Sequence, residues 1–77
     1  MRIVAFKIVR DYQLELTFSN GTTKIVDLFS FLNSSQNPMT SQFKDPKLFQ
    51  QVQLTQGHLS WINGEMDLSA ESLYEWK

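Results

Sequence analysis

A chain of 77 residues, 42% hydrophobic and 13% aromatic, holds material for one packed core and no second, so it reads as a single α+β domain over 1–77. Seven Lys/Arg against eight Asp/Glu leave a net charge of −1. That lacks the basic excess on which duplex binding depends, and no direct nucleic-acid contact is expected.

Cysteine is absent, which excludes disulfides and thiolate metal sites and fits a reducing compartment. The apolar start Ile3-Val4-Ala5-Phe6 stops at Lys7, too short for the core of a signal peptide. No run approaches the ~20 apolar residues of a membrane span. The expectation is a cytoplasmic protein with no membrane association.

The first third predicts a three-strand meander. Residues 12 to 18 alternate apolar and polar without a fault, the mark of a strand with one buried face. Asn20-Gly21 supplies the two positive-φ residues of a type I′ hairpin. A two-residue loop there sets Leu16 opposite Ile25 and Phe18 opposite Thr23, with Val26 and Leu28 on the other face. For the first strand, Ile3 to Val9, a three-residue loop Arg10-Asp11-Tyr12 pairs Ile8 with Leu14, Phe6 with Leu16 and Val4 with Phe18. A slip of one residue would send every side chain to the wrong face.

Phe29, Phe31 and Leu32 fit one helical turn, and Asn33 to Pro38 reads as a polar loop. Asp45-Pro46 is a helix start: Asp caps free amides and Pro is preset for the first helical position. Val52 and Leu54 then begin a strand. A Gln56-Gly57 turn places Leu54 opposite Leu59 and Val52 opposite Trp61. A second turn at Asn63-Gly64 places Trp61 opposite Met66 and Leu59 opposite Leu68. Both turns put these six apolar residues on one face, an agreement across levels. Ser69 caps the last helix, with Glu71 in its first turn and the Leu68/Leu73 spacing of a hydrophobic staple. The predicted fold is therefore α+β: a small antiparallel sheet built from an N-terminal three-strand meander and a C-terminal hairpin, with short helices packed on it.

The ordered set Phe18-Ser19-Asn20-Gly21, Val26-Asp27-Leu28, Asp45-Pro46-Lys47-Leu48-Phe49, Gly57-His58-Leu59-Ser60-Trp61 and Met66-Asp67-Leu68-Ser69 through Leu73-Tyr74 resembles the bacterial domain of unknown function 2442 family over almost the whole chain. Two departures stand out: Ile62 where the family usually has Pro after the Trp, and a longer segment from Asn33 to Phe43. The resemblance implies a curved antiparallel sheet with helices against it, no established catalytic residues, and a short neighbouring gene product of unknown-function family 4160 in a layout that looks like a toxin–antitoxin pair. Longer relatives carry a helix-turn-helix module, which is not expected in a chain ending at Lys77.

Candidate chemistry is sparse. His58, the only histidine, falls opposite Thr55 on the face away from Trp61. With Glu65 or Asp67 it would make a poor metal site, because a real one needs more convergent ligands. Asp27 reads as a cap for the Phe29 turn, and Asp67 reads likewise for the last helix. The serines lack a base held against them, and the glycines are used in turns rather than in a phosphate loop. No catalytic residue, metal ligand or cofactor is assigned. Glu65, Asp67, Glu71 and Glu75 form an acidic end, either a solvated face or a surface for a basic partner.

Tyr74 points away from the Leu73–Trp76 face. If exposed beside Phe29 or Phe31, it makes Phe29, Phe31, Tyr74 and Trp76 the candidate partner-binding residues, since aromatic side chains dominate interfaces. The function expected is a non-enzymatic protein-interaction domain of homodimeric or heterodimeric type. Its partner would be a small protein encoded beside it, bound through an aromatic patch or a sheet edge. The alternative is a small-molecule module with a pocket between sheet and helices, lined by Phe43, Phe49 and Trp61.

Overall fold

The computed structural model describes residues 1–61 and 66–76. The chain runs β1 (Ile3–Arg10), β2 (Gln13–Phe18), β3 (Thr23–Asp27), α1 (Phe29–Ser34), α2 (Pro38–Ser41), a 3-10 turn (Gln42–Lys44), α3 (Pro46–Phe49), β4 (Gln53–Thr55), β5 (His58–Trp61), β6 (Met66–Leu68) and α4 (Ala70–Tyr74). This is the α+β architecture expected. The strands form two antiparallel three-stranded sheets, β1-β2-β3 and β4-β5-β6. Among the described residues one backbone bond joins them, from the Ile3 amide to the Gly57 carbonyl at 2.8 Å.

The first hairpin departs from expectation by one residue. Phe18 pairs with Thr22, its amide donating to the Thr22 carbonyl at 2.8 Å, so the loop is Ser19-Asn20-Gly21. Only Gly21 of the Asn-Gly pair takes a positive φ, +88°. The turn is thus a three-residue loop closed by a glycine bulge, not type I′. Leu16 faces Lys24 and Leu14 faces Val26. That shift buries Val26 and leaves Ile25 56% exposed. Leu28 joins the core face as well, and Asp27 stands opposite Gln13.

In β1, Ile8↔Leu14 and Phe6↔Leu16 form as predicted. Irregularities in this strand bring two corrections. Ile3, not Val4, faces Phe18, because the register shifts between Ile3 and Ala5 and Val4 falls in the bulge. The turn into β2 is Asp11-Tyr12, with Asp11 at φ 44°; Arg10 pairs with Gln13, and a second shift beside Val9 restores the inward alternation. Both bulges absorb one residue of an apolar doublet, Ile3-Val4 and Ile8-Val9.

The middle segment holds α1 where the helical turn was expected. The expected loop shortens to 35–37, and Asn37 caps α2 by accepting the Met39 amide at 3.0 Å. Asp45 caps α3 through the Lys47 amide at 3.0 Å, as the Asp-Pro pair predicted. Ser69 caps α4 through the Ser72 amide at 3.1 Å.

In the second sheet Leu54↔Leu59, Leu59↔Leu68 and Trp61↔Met66 all hold. The Gln56-Gly57 turn has both residues at positive φ, 51° and 85°, the type I′ geometry. Leu54, on the outer strand β4, remains 37% exposed. The Asn63-Gly64 turn lies outside the described residues.

Trp61 occupies the centre of the core. It is fully buried, its rings lie 5.8 Å from Phe49 and 6.1 Å from Phe43, and its Nε1 donates to the Phe49 carbonyl at 2.8 Å. Indole thus supplies both apolar area and the donor that a buried carbonyl requires.

Two substitutions test this packing by urea unfolding. Trp61→Phe removes the indole bond to the Phe49 carbonyl, which keeps only the Val52 amide, and leaves a void, at an expected cost of ~2–3 kcal/mol. Gly21→Ala meets open space and costs ~1 kcal/mol for its positive φ, whereas Gly57→Ala also drives a methyl to 2.9 Å from the Arg2 Cβ and costs more, ~3 kcal/mol.

Candidate interaction surface

The four aromatic residues nominated from sequence do not form one ring cluster. Phe31 and Trp76 do meet, edge to face at 5.4 Å. Trp76 also donates Nε1 to the Asp27 carbonyl at 3.3 Å. Phe29 goes elsewhere: 46% exposed, it lies 5.5 Å from Tyr12, which packs edge-on to Phe49 at 5.3 Å. The Tyr12 hydroxyl donates to the Lys44 carbonyl, which fixes the stack. Tyr74 turns to the first hairpin, edge-on to Phe18 at 5.1 Å. The reason is local: α4 ends at Tyr74, so Trp76 leaves the helix and takes its own direction along β3.

Tyr74 and Trp76 both reach β3, at Lys24 and at Asp27. Lys24 Nζ donates to the Tyr74 carbonyl at 2.7 Å, beside the Trp76–Asp27 contact. The Tyr74 hydroxyl accepts from Asn20 Nδ2 at 3.4 Å. Its pKa is lowered from the ordinary tyrosine value, first by that amide, then by Thr22, with Lys24 adding a smaller charge effect against desolvation.

Asp27 caps the Phe29 turn as expected, its Oδ1 accepting the Phe29 amide at 2.9 Å. Asp67 does not cap α4. Its Oδ1 lies 3.8 Å from His58 Nε2. His58 sits opposite Thr55, as predicted. Together with Gly57, Ser69 and Ser72, His58 and Asp67 line an open groove of about 450 Å³. The Ser69 hydroxyl donates to the Ser72 hydroxyl at 3.0 Å, and neither bonds to His58. Among the described residues no group of three metal-capable side chains converges. Phe43, Phe49 and Trp61 are all fully buried against one another, so the pocket expected between them is filled by their own rings. A smaller cavity of about 250 Å³ lies instead at Tyr12, Phe29, Asp11 and Asp27.

On the opposite edge, β1, backbone partners are lacking beyond Ile3 among the described residues, with β4 near the strand. Because the Phe18 amide bonds to Thr22, alternation turns Leu16 and Leu14 toward β3 and Thr17, Glu15 and Gln13 toward β1. Their partners Ala5, Lys7 and Arg10 therefore bond inward, and Ile3, Phe6 and Ile8 present backbone groups outward. Ile3 spends its amide on Gly57. Phe6 and Ile8 have no such partner among the described residues, their side chains are only partly buried, and Val4 and Val9 beside them are exposed. The residues forming this edge were not nominated from sequence. The apolar doublets that break strict alternation were the available signal.

The family model for "Protein of unknown function (DUF2442)" matches residues 3–77. The chain belongs to that family. No curated protein and no solved structure matches it. Within the DUF2442 domain, the segment Asn33 to Phe43 that departs from the family pattern forms the end of α1, α2 and the start of the 3-10 turn. The other departure, Ile62, lies outside the described residues. No helix among the described residues is long and apolar enough to cross a membrane.

Removing the Asn20 amide should release the Tyr74 hydroxyl. In a spectrophotometric titration, Asn20→Ala is expected to move the Tyr74 transition to higher pH.

Proposed function

We propose that this chain is a non-enzymatic, cytoplasmic protein-interaction domain. Its partner is a small protein encoded beside it, in an antitoxin-like pairing. The observation that carries the reading is the open β1 edge: Phe6 and Ile8 backbone groups facing outward, flanked by exposed Val4 and Val9. Such an edge is a template for another strand, and proteins normally cover or blunt it. The bulges at Val4 and Val9 limit it to a short stretch, which favours one specific partner over open-ended stacking. Phe29 extends the exposed apolar area near the Asp11-Tyr12 turn.

A second reading, a small-molecule module, has support from the groove at His58 and Asp67. Ligand binding to the native state would raise its melting temperature, so a thermal-shift screen is its direct check.

The preferred reading is tested by co-expression with the neighbouring gene product and size-exclusion chromatography. Co-elution as one species at micromolar concentration is expected. Two separate peaks count against it.

A further inference from the structure

Resting on the reading of β1 as the docking edge, we infer that its partner contributes an extended strand in which acidic and apolar residues alternate. The first ten residues contain Arg2, Lys7 and Arg10 and no acid, in a chain whose net charge is −1. Lys7 lies opposite Glu15 and Arg10 opposite Gln13, so both side chains leave the outer face of the sheet. Neither makes a salt bridge among the described residues. The Val9 bulge counts as one position with its neighbour, which sets Lys7 and Arg10 two strand positions apart.

Phe6 and Ile8 occupy the intervening inward positions and stay partly exposed for want of a neighbour on that side. A strand that completes this edge therefore needs carboxylates at alternate positions, facing Lys7 and Arg10. It needs apolar side chains between them, covering Phe6 and Ile8. Opposite-charge and apolar cross-strand pairs are what stabilise such an addition.

A second copy of this chain does not fit. The two-fold antiparallel register that uses both outward residues pairs Phe6 with Ile8 of the other copy. It then sets Lys7 directly against Lys7, a like-charge pair that destabilises. The β3 edge suits an acidic strand less, because its Asp27 carbonyl already accepts from Trp76 and Asp27 adds a carboxylate there.

The test uses the full chain, isotope-labelled for NMR, with two capped hexapeptides: acetyl-Glu-Ile-Glu-Val-Glu-Thr-amide and its twin with Lys for each Glu. The acidic peptide is expected to shift the amides of residues 5–10, and the lysine twin to bind roughly tenfold more weakly, the scale of a few cross-strand charge pairs. Added salt should narrow the difference. The double variant Lys7→Glu/Arg10→Glu, its fold checked by circular dichroism, should reverse the preference. Equal binding of both peptides, no shift along β1, or concentration-dependent self-association through β1 overturns the inference. Running the same double variant in the co-expression assay separates the two claims. A partner that still binds it unchanged refutes the acidic-strand inference and leaves the interaction reading standing, whereas no partner with the unaltered chain refutes the reading.

Discussion

Among the described residues one backbone hydrogen bond, Ile3 to Gly57, couples the two sheets of this domain, and the geometry around it constrains how the rest of the chain can pack. Gly57 must take a positive φ to close the β4–β5 turn, and it must lack a side chain because Arg2 packs where a Cβ would stand. Arg2 is itself tied to the first hairpin, its carbonyl accepting the Ser19 amide at 2.7 Å and its amide donating to the Ser19 hydroxyl at 3.1 Å. Both sheets thus meet at the beginning of β1, where Ile3 is buried opposite Phe18. A glycine that satisfies a turn and a junction at once leaves little freedom in how the sheets meet.

Fixing one end of β1 does not pair the rest of its outer side. Among the described residues the second sheet bonds to this strand at Ile3, and β4 runs near the same side. The helices pack over the inner face, and the C-terminal segment crosses to β3 instead, held by the Lys24 and Trp76 contacts. The fold therefore ties its C-terminal segment to the β3 side of the meander and leaves the Phe6 and Ile8 backbone groups of β1 without a backbone partner among the described residues. That asymmetry, rather than any cluster of reactive side chains, is the feature with a use beyond stability. The groove at His58 is open and of mixed polarity, and its serines are engaged with each other and with the cap of α4.

Much of this is legible in the residues, and the failures have definite physical causes. The β4–β5 register is readable because Gln56-Gly57 has one good solution, and the caps at Asp45 and Ser69 because each has a specific amide to satisfy. Asn20-Gly21 misleads because the same dipeptide serves a two-residue and a three-residue loop. Only the backbone decides between them, and the one-residue difference exchanges Ile25 for Val26 in the core. Local pattern cannot place bulges, so alternation alone gives Val4 the inward site that Ile3 holds. Of the aromatic candidates, Phe31 and Trp76 meet as a pair, yet Tyr74 and Trp76 separate because the helix ends between them. The edge itself depends on which strand the C-terminal segment reaches, a long-range fact that no short window of sequence contains.

Amide hydrogen exchange along β1, measured residue by residue by NMR on the isolated chain, tests the open edge most directly. Ile3, Ala5 and Lys7 should be protected, the first by Gly57 and the others by β2, while the Phe6 and Ile8 amides exchange at rates near those of an unstructured chain. Protection of Phe6 and Ile8 equal to that of Lys7 would mean that the edge is already covered, and would contradict the account.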